Sequence, residues 1–463
     1  MRVSRRSDLR PIEALLLGLV LLLGLLGFLL AAAGLRLAGP IAQTGEMPAV
    51  RSLLVVPLLA GGLFVAAHAL LVIRRRRVEQ IILPVVALLF SLGIVLIWRL
   101  RGDEGAWQQV LRGFLPGMAA LGALLAWPYQ LTEFIRRQAI PISLAGLGLA
   151  LLTGILGSAD ETGARLALVL GPLPPIQTSE LIKLALIIFL AWYIDREGRR
   201  MEGRAILLFG RLRLPALRYA LPGLLFVFVA TLALVRMADF GAVLILGIIF
   251  VAMLYAGFDP RLFGTIAVIG LGMALVVALV LVFVWDVPAV IENRFLAFAN
   301  PWSTAELMVN GVPTGLTISE GPGYQIQQAV YATISGGLSG AGLGFGSPEY
   351  IPLAASDFIF AALLEEMGAM IGFAVLALFG VLALRIFRVA MLLPGVQVFE
   401  RLLVTGIGIH LFTQVFVMAG GTLNLIPLTG VTIPFLSLGG MALLTNLVEV
   451  GIVLALAQRL EAR

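Results

Sequence analysis

Apolar residues fill the chain in long runs separated by short polar stretches. The runs are Ala14–Leu35, Leu53–Ile73, Ile81–Trp98, Gly113–Leu131, Ile140–Gly157, Ile176–Ile194, Tyr219–Val235, Phe240–Ala256, Leu262–Trp285, Phe358–Leu384, Leu402–Met418 and Ile433–Ala457. Each is close to the ~20 residues a helix needs to cross a hydrocarbon core, which predicts an all-α polytopic membrane protein of about twelve transmembrane helices. The first run is too long for a signal peptide, and no cleavage site followed by a soluble chain succeeds it, so it reads as a retained helix. Between the ninth and tenth runs lies a different segment, residues 286–357, too polar and too rich in Gly and Pro to span a bilayer. Long loops in compact proteins are usually functional. The Gly, Tyr, Gln and carboxylates of this one mark it as the cover of an active site.

The basic residues orient the helices. Arg2, Arg5, Arg6 and Arg10 precede the first run, and Arg74–Arg77 follow the second. Arg136 and Arg137 follow the fourth, the segment Arg196–Arg218 follows the sixth, and Arg385, Arg388 and Arg401 follow the tenth. With alternating helices all of these fall on one side, which the positive-inside rule makes cytoplasmic. Both termini are then cytoplasmic and the 286–357 segment is external. The agreement independently supports the helix count.

Composition fits this picture. Of 463 residues 60% are hydrophobic and 13% charged, and the mean hydropathy is +1.05; a soluble domain carries about 25% charged residues. Cysteine is absent, which excludes disulfides, thiolate nucleophiles and thiolate metal sites. The two histidines, His68 and His410, sit in apolar runs and cannot form a multi-histidine metal site. The net charge of +6 lies in short loops, so it reports topology, not nucleic-acid binding. No convincing repeat relates the two halves, which argues against a carrier built from related halves.

Charged and amide groups within spans are costly and usually have a partner or a task. Arg99 ends the third run beside Trp98. Glu180 and Lys183 open the sixth with i, i+3 spacing, on one face of a helix. Asp239 lies where the seventh run returns as the eighth, and Asp357, Glu365 and Glu366 begin the tenth. Gln414 and Asn424 flank the outer end of the eleventh. Alone, Glu180–Lys183 or Arg236–Asp239 reads as a structural ion pair. Glu180, Asp239 and Asp357 on separate helices beneath one external loop predict a polar cavity, open to the outside and to lipid, suited to a substrate with an apolar tail and a polar head.

Together these residues resemble the FtsW/RodA/SpoVE family of bacterial shape, elongation, division and sporulation proteins, from about Ile81 to the C-terminus. Thr178-Ser179-Glu180 with Lys183 is similar to the family's Pro-Ser-Glu and following Lys, and Asp239-Phe240-Gly241 to its Asp-Leu-Gly turn. The loop motifs are Gly323-Tyr324-Gln325, Gly336-Gly337, Gly342-Leu343-Gly344, Ser356-Asp357-Phe358-Ile359-Phe360 and Glu365-Glu366-Met367-Gly368. Pro427-Leu428-Thr429-Gly430 and Pro434-Phe435-Leu436-Ser437-Leu438-Gly439-Gly440 match the C-terminal motifs. All occur in order on matching topological elements.

The resemblance implies a ten-helix peptidoglycan glycosyltransferase core, residues 79–463, preceded by a two-helix extension, residues 1–78, in the bacterial cytoplasmic membrane. It implies lipid II, carried on undecaprenyl pyrophosphate, as substrate and a class B penicillin-binding protein as partner. The family's loop Asp before Gly-Tyr-Gln has no counterpart between Asn300 and Gly321, where an insertion carries Glu306 and Glu320. Either could serve as general base, or help hold a divalent cation, magnesium or manganese, at the pyrophosphate. Met418 stands where the family often has Asn after its Gln, here Gln414. Lys183 and Arg294 would face the pyrophosphate; Glu180, Tyr324 and Gln325 would line the substrate site, and Asp239, Asp357 and Glu366 would shape it or hold a divalent ion. Glu365 and Glu366 diverge by about 100° on a helix, so only one is expected to face inward. The alternatives are a lipid II flippase and a non-catalytic scaffold for the penicillin-binding protein.

Overall fold

The computed structural model describes residues 10–460 apart from 38–49, 74–78, 158–166, 169–174, 204–205, 209–211, 215–216, 260–261, 267, 271, 273–287 and 310–311. The helices are α1 (Pro11–Leu37), α2 (Val50–Ile73), α3 (Ile82–Gln109), α4 (Leu115–Ala126), α5 (Pro128–Arg137), α6 (Ala139–Leu156), α7 (Thr178–Gly203), α8 (Leu217–Arg236) and α9 (Phe240–Gly257). They continue as α10 (Pro288–Ala299), α11 (Pro322–Gly336), α12 (Ile359–Leu392), α13 (Val398–Thr422) and α14 (Gly440–Arg459). Three antiparallel two-stranded ladders interrupt them: β1 (Ala167–Leu168) with β2 (Ile176–Gln177), β3 (Ile206–Leu208) with β4 (Leu212–Leu214), and β5 (Glu306–Val309) with β6 (Val312–Thr317).

Among the described residues, nine helical stretches are long and apolar enough to cross a membrane. The chain is therefore a multi-pass helical membrane protein. One stretch, Ile82–Ala126, holds two expected runs. Gly102 inside it has non-helical angles, φ 61° and ψ −157°, and Phe90 and Phe114 on either side stack at 4.1 Å. The chain doubles back at this glycine. The expected single run Gly113–Leu131 needs correcting, because helix breaks at Trp127 (φ −126°, ψ 57°) and α5 starts at Pro128. A proline disfavours helical angles in the residue before it. The sixth run lies in α7, whose Glu180, Lys183, Asp195 and Arg196 keep it out of the nine. Most of the expected ninth run, Leu262–Trp285, lies outside the described residues.

The chain forms two compact units. The first comprises Met1–Leu131, Pro322–Val389 and Gln414–Arg463, and the second Thr132–Gly321 and Ala390–Thr413. In the first, α14 packs through glycines along α4 and the π-helical turn Val110–Phe114 before it: a Cβ on Gly113 in that turn would meet the Gly440 backbone, and one on Gly117 of α4 the Leu447 side chain. Such contacts let helix backbones approach closely in lipid. The amide of Gln109 fastens the chain entering α14, donating to the Ser437 carbonyl at 3.0 Å and accepting from the Gly439 N–H at 2.9 Å. In the second unit α7 is central. Gly146 of α6 faces Ala185, Gly223 of α8 faces Tyr193, and Gly406 of α13 faces Ile187.

Candidate functional site

In the second unit the polar residues gather where α7 and α9 begin. Lys183 Nζ lies 2.8 Å from Glu180 Oε1, and both side chains are buried. One turn of helix brings them together, and each offsets the charge of the other where neither could stand alone. Asp239 caps α9, accepting the Ala242 N–H at 2.9 Å, the usual service of an Asp at a helix start. Ser179 also hydrogen-bonds its carboxyl, and Lys183 and Glu180 both act on it electrostatically. Burial pushes the Asp239 carboxyl above the ordinary range; the Ala242 N–H, the Lys183 charge and the Ser179 hydroxyl pull it back in part, while Glu180 adds to the rise. Glu180, Lys183 and Asp239 thus form one cluster. Arg294 on α10 stacks its guanidinium over Phe240, the residue after Asp239, at 5.6 Å.

Of the two loop carboxylates, Glu306 lies on β5 and Glu320 just after β6, and both are exposed. Glu306 accepts the Gly315 N–H at 3.3 Å across the ladder. Glu320 closes the turn after β6, accepting the Thr317 N–H at 2.9 Å and the Thr317 hydroxyl at 2.8 Å. These two hydrogen bonds hold its carboxyl below the ordinary glutamate range.

The first unit contains a second cluster, built on glycines. α12 breaks at Gly368 (φ 79°, ψ 168°), and the turn after α11 crosses that break backbone to backbone. Ala341 N–H bonds the Glu365 carbonyl at 2.8 Å and Gly342 N–H the Glu366 carbonyl at 2.9 Å, while Ala369 N–H reaches Gly337 O at 2.9 Å. Gly340, with φ 80°, lies so close to Gly368 that a Cβ on either would strike the other's backbone. The crossing needs glycine for both angle and clearance. It delivers Gly346 and Ser347 onto the two glutamates. Arg99 Nε lies 2.9 Å from Glu366 Oε1, and Arg99 also donates to the Gly346 carbonyl at 3.1 Å. The Ser347 N–H donates to Glu365 Oε1 at 2.9 Å. Both glutamates are buried, which corrects the expectation of one inward carboxylate: the loop wraps α12 closely enough to cover two faces.

Tyr324 and Gln325 lie in the first turns of α11, Tyr324 exposed and Gln325 half-buried. The far half of that helix packs Ala329 and Ala332 against Phe358, Ala361 and Ala362 at the start of α12. The Asp357 carboxylate sits against Gly430, and Ser437 Oγ donates to the Ser356 carbonyl at 2.8 Å. The Pro427 and Pro434 motifs therefore dock onto the residues just before α12. In the sequence Arg99 and Ser179 stood out without a task, and Ser347 and Gln109 did not stand out at all. An arginine ending an apolar run was the available signal for the first; the others act through geometry that spacing does not encode.

The FTSW_RODA_SPOVE family, described as cell cycle protein, matches residues 79–462. The chain belongs to that family. It is 32% identical over 404 residues to the peptidoglycan glycosyltransferase RodA of Mycobacterium bovis, covering 84% of this chain and 80% of that one. It is 33% identical over 352 residues to the probable peptidoglycan glycosyltransferase FtsW of Nitrosococcus halophilus, covering 75% and 81%. Among solved structures, it is similar in fold to a chain of a peptidoglycan synthase complex described for the coordination of polymerization and crosslinking (TM-score 0.62, 24% identity, 82% of this chain and 98% of that one). The rod shape determining protein RodA of Thermus thermophilus is also similar, with TM-score 0.52 and 24% identity over 82% of this chain and 95% of that one.

Proposed function

We propose that the protein is a peptidoglycan glycosyltransferase that polymerises lipid II at the outer face of the bacterial cytoplasmic membrane, with both termini cytoplasmic. The observation that carries the reading is the agreement of RodA and FtsW relatives on one printed activity, in a chain with a buried lysine–carboxylate cluster where two helices begin. In the transfer, the bond from the strand's anomeric carbon to pyrophosphate breaks and a bond to the 4-hydroxyl of incoming lipid II forms. Glu306 or Glu320 takes the hydroxyl proton, and undecaprenyl pyrophosphate leaves. Lys183 and Arg294 meet the pyrophosphate charge; Glu180 and Asp239 hold Lys183 in place. Tyr324, Gln325, Asp357 and Glu366 take the role of substrate contacts. A class B penicillin-binding protein is the proposed partner.

A divalent cation, magnesium or manganese, fits as an ion shared with substrate. Among the described residues no three His, Asp or Glu side chains form a ready-made cage. Within the second unit Glu180, and within the first Glu365 and Glu366, each keep a buried Oε2 with no hydrogen-bond partner. Magnesium is commonly held by one or two carboxylates together with substrate phosphates, where it supplies charge neutralisation at the leaving group.

The test is polymerisation of labelled lipid II by the purified protein with a verified partner, for wild type, Glu306→Gln and Glu320→Gln, with and without the cation. Long strands lost in one variant identify the base. No polymer from folded wild type with its partner overturns the reading in favour of a flippase or scaffold.

A further inference from the structure

The loop 340–347 is gripped from two sides. One is the break in α12; the other is the last turns of α1. A Cβ on Gly34 would collide with the Leu343 carbonyl oxygen, and one on Gly344 would lie 2.9 Å from Leu35 N and 3.0 Å from Ala31 O. Two backbones meet there with no side chain between them, and two residues further on the same loop supplies the Gly346 carbonyl to Arg99 and the Ser347 N–H to Glu365.

α1 reaches this point along α3. Gly24 rests on Ser91 and Gly27 on Val95, and the Phe28 ring lies 5.6 Å from that of Trp98, the neighbour of Arg99. The opposite end of α1 is fastened as well. The Arg10 guanidinium donates to the Glu13 carboxylate and to the Glu79 carbonyl, and His68 Nδ1 on α2 lies 2.6 Å from Glu13 Oε1. Glu79 in turn accepts the Ile81 N–H at 2.8 Å at the start of α3. Arg10, Glu13 and Glu79 are all buried. Helices that served only as membrane anchors would need neither this network nor a backbone contact on a loop.

We propose that α1 and α2, which precede the family match at residue 79, are an intramolecular clamp. They position loop 340–347, and through it the Arg99–Glu365–Glu366 cluster. Gly34 is a positioning residue that touches no reacting group. The activity readout rests on the glycosyltransferase reading; the structural readout does not.

The experiment compares full-length wild type, Gly34→Leu and Gly62→Leu, each with its partner. A Cβ on Gly62 would meet nothing within 4 Å, so that variant controls for an added leucine in the same extension. Gly34→Leu is expected to lower kcat for lipid II polymerisation at least tenfold with KM within twofold. It is also expected to speed hydrogen exchange at the Ala341 and Gly342 amides, with partner binding intact; Gly62→Leu changes none of these. Equal exchange at those amides in the two variants overturns the clamp. Should Gly34→Leu fail to fold, Gly34→Ala, whose methyl group alone meets the Leu343 carbonyl, is compared with Gly62→Ala in the same way. Faster exchange at Ala341 and Gly342 in Gly34→Ala supports the clamp, and equal exchange overturns it. If wild type makes no polymer, the glycosyltransferase reading fails and the exchange comparison still decides the clamp.

Discussion

Lys183 shows what single side chains contribute. Buried against Glu180, it holds a charge that the interior would otherwise reject, so Lys183→Met leaves the carboxylate uncompensated. A loss of about 3–5 kcal/mol is expected, seen as a lower unfolding temperature in detergent. The Glu180→Leu/Lys183→Met double variant is expected to recover much of that stability and none of the polymerase activity. Recovery of activity would show the pair to be structural only. Glu320 behaves differently, because its depressed pKa ties the turn after β6 to pH. The carboxylate's hold on Thr317 is complete above the ordinary glutamate value of ~4.3 and is lost as pH falls through the lowered folded value. Amide exchange at Thr317, compared with Glu320→Gln at each pH, is expected to converge with that variant only at the acid end of the range. The pairing of Glu180 with Lys183 was legible in the sequence because one helix turn fixes it. That Asp239 would join Glu180 was also legible, from carboxylates on separate helices beneath one loop; the hydrogen bond from Ser179 was not, since it depends on how the two helices start side by side.

Among the elements, the crossing of the post-α11 turn over the α12 break carries the most information per residue. Gly340→Ala and Gly368→Ala each place a methyl group against backbone at a positive φ. The backbone conformation alone costs about 1–3 kcal/mol, and the collision adds to it. Either variant is expected to release Ser347 from Glu365 and to unfold at lower temperature; an unchanged melting profile with unchanged exchange at Ala341 would contradict this account. Hydropathy located most of the described spanning helices, because burial in lipid demands length and apolarity and little else, but it carried one run straight through the break at Trp127. The family resemblance picked out the motif glycines in order, but neither it nor hydropathy gave a hint that Gly340 and Gly368 meet. That contact depends on where α12 breaks, and helix propensity alone would carry α12 straight through Gly368. The turn at Gly102 escaped notice for a related reason: one residue reverses the chain, where a polar connector of several residues was expected.

At the scale of the molecule, the division into two compact units separates the two clusters, with Arg99, Glu365 and Glu366 in one and Glu180, Lys183 and Asp239 in the other. Unfolding in detergent is therefore expected to show two transitions, since multi-unit chains depart from all-or-none behaviour. Arg99→Ala is expected to move one and Lys183→Met the other, followed by limited proteolysis and mass mapping; one transition shifted equally by both would refute it. The first unit takes in α1 and α2 together with residues inside the family match, so the family boundary at residue 79 is not a seam in the structure. This bears on transplantation. A chimaera carrying the first 78 residues on another family core would inherit Gly34 without the loop it fits, and a core stripped of them would keep a Gly344 with nothing to receive. Helix pair and loop are one heritable part, to be exchanged together or left alone.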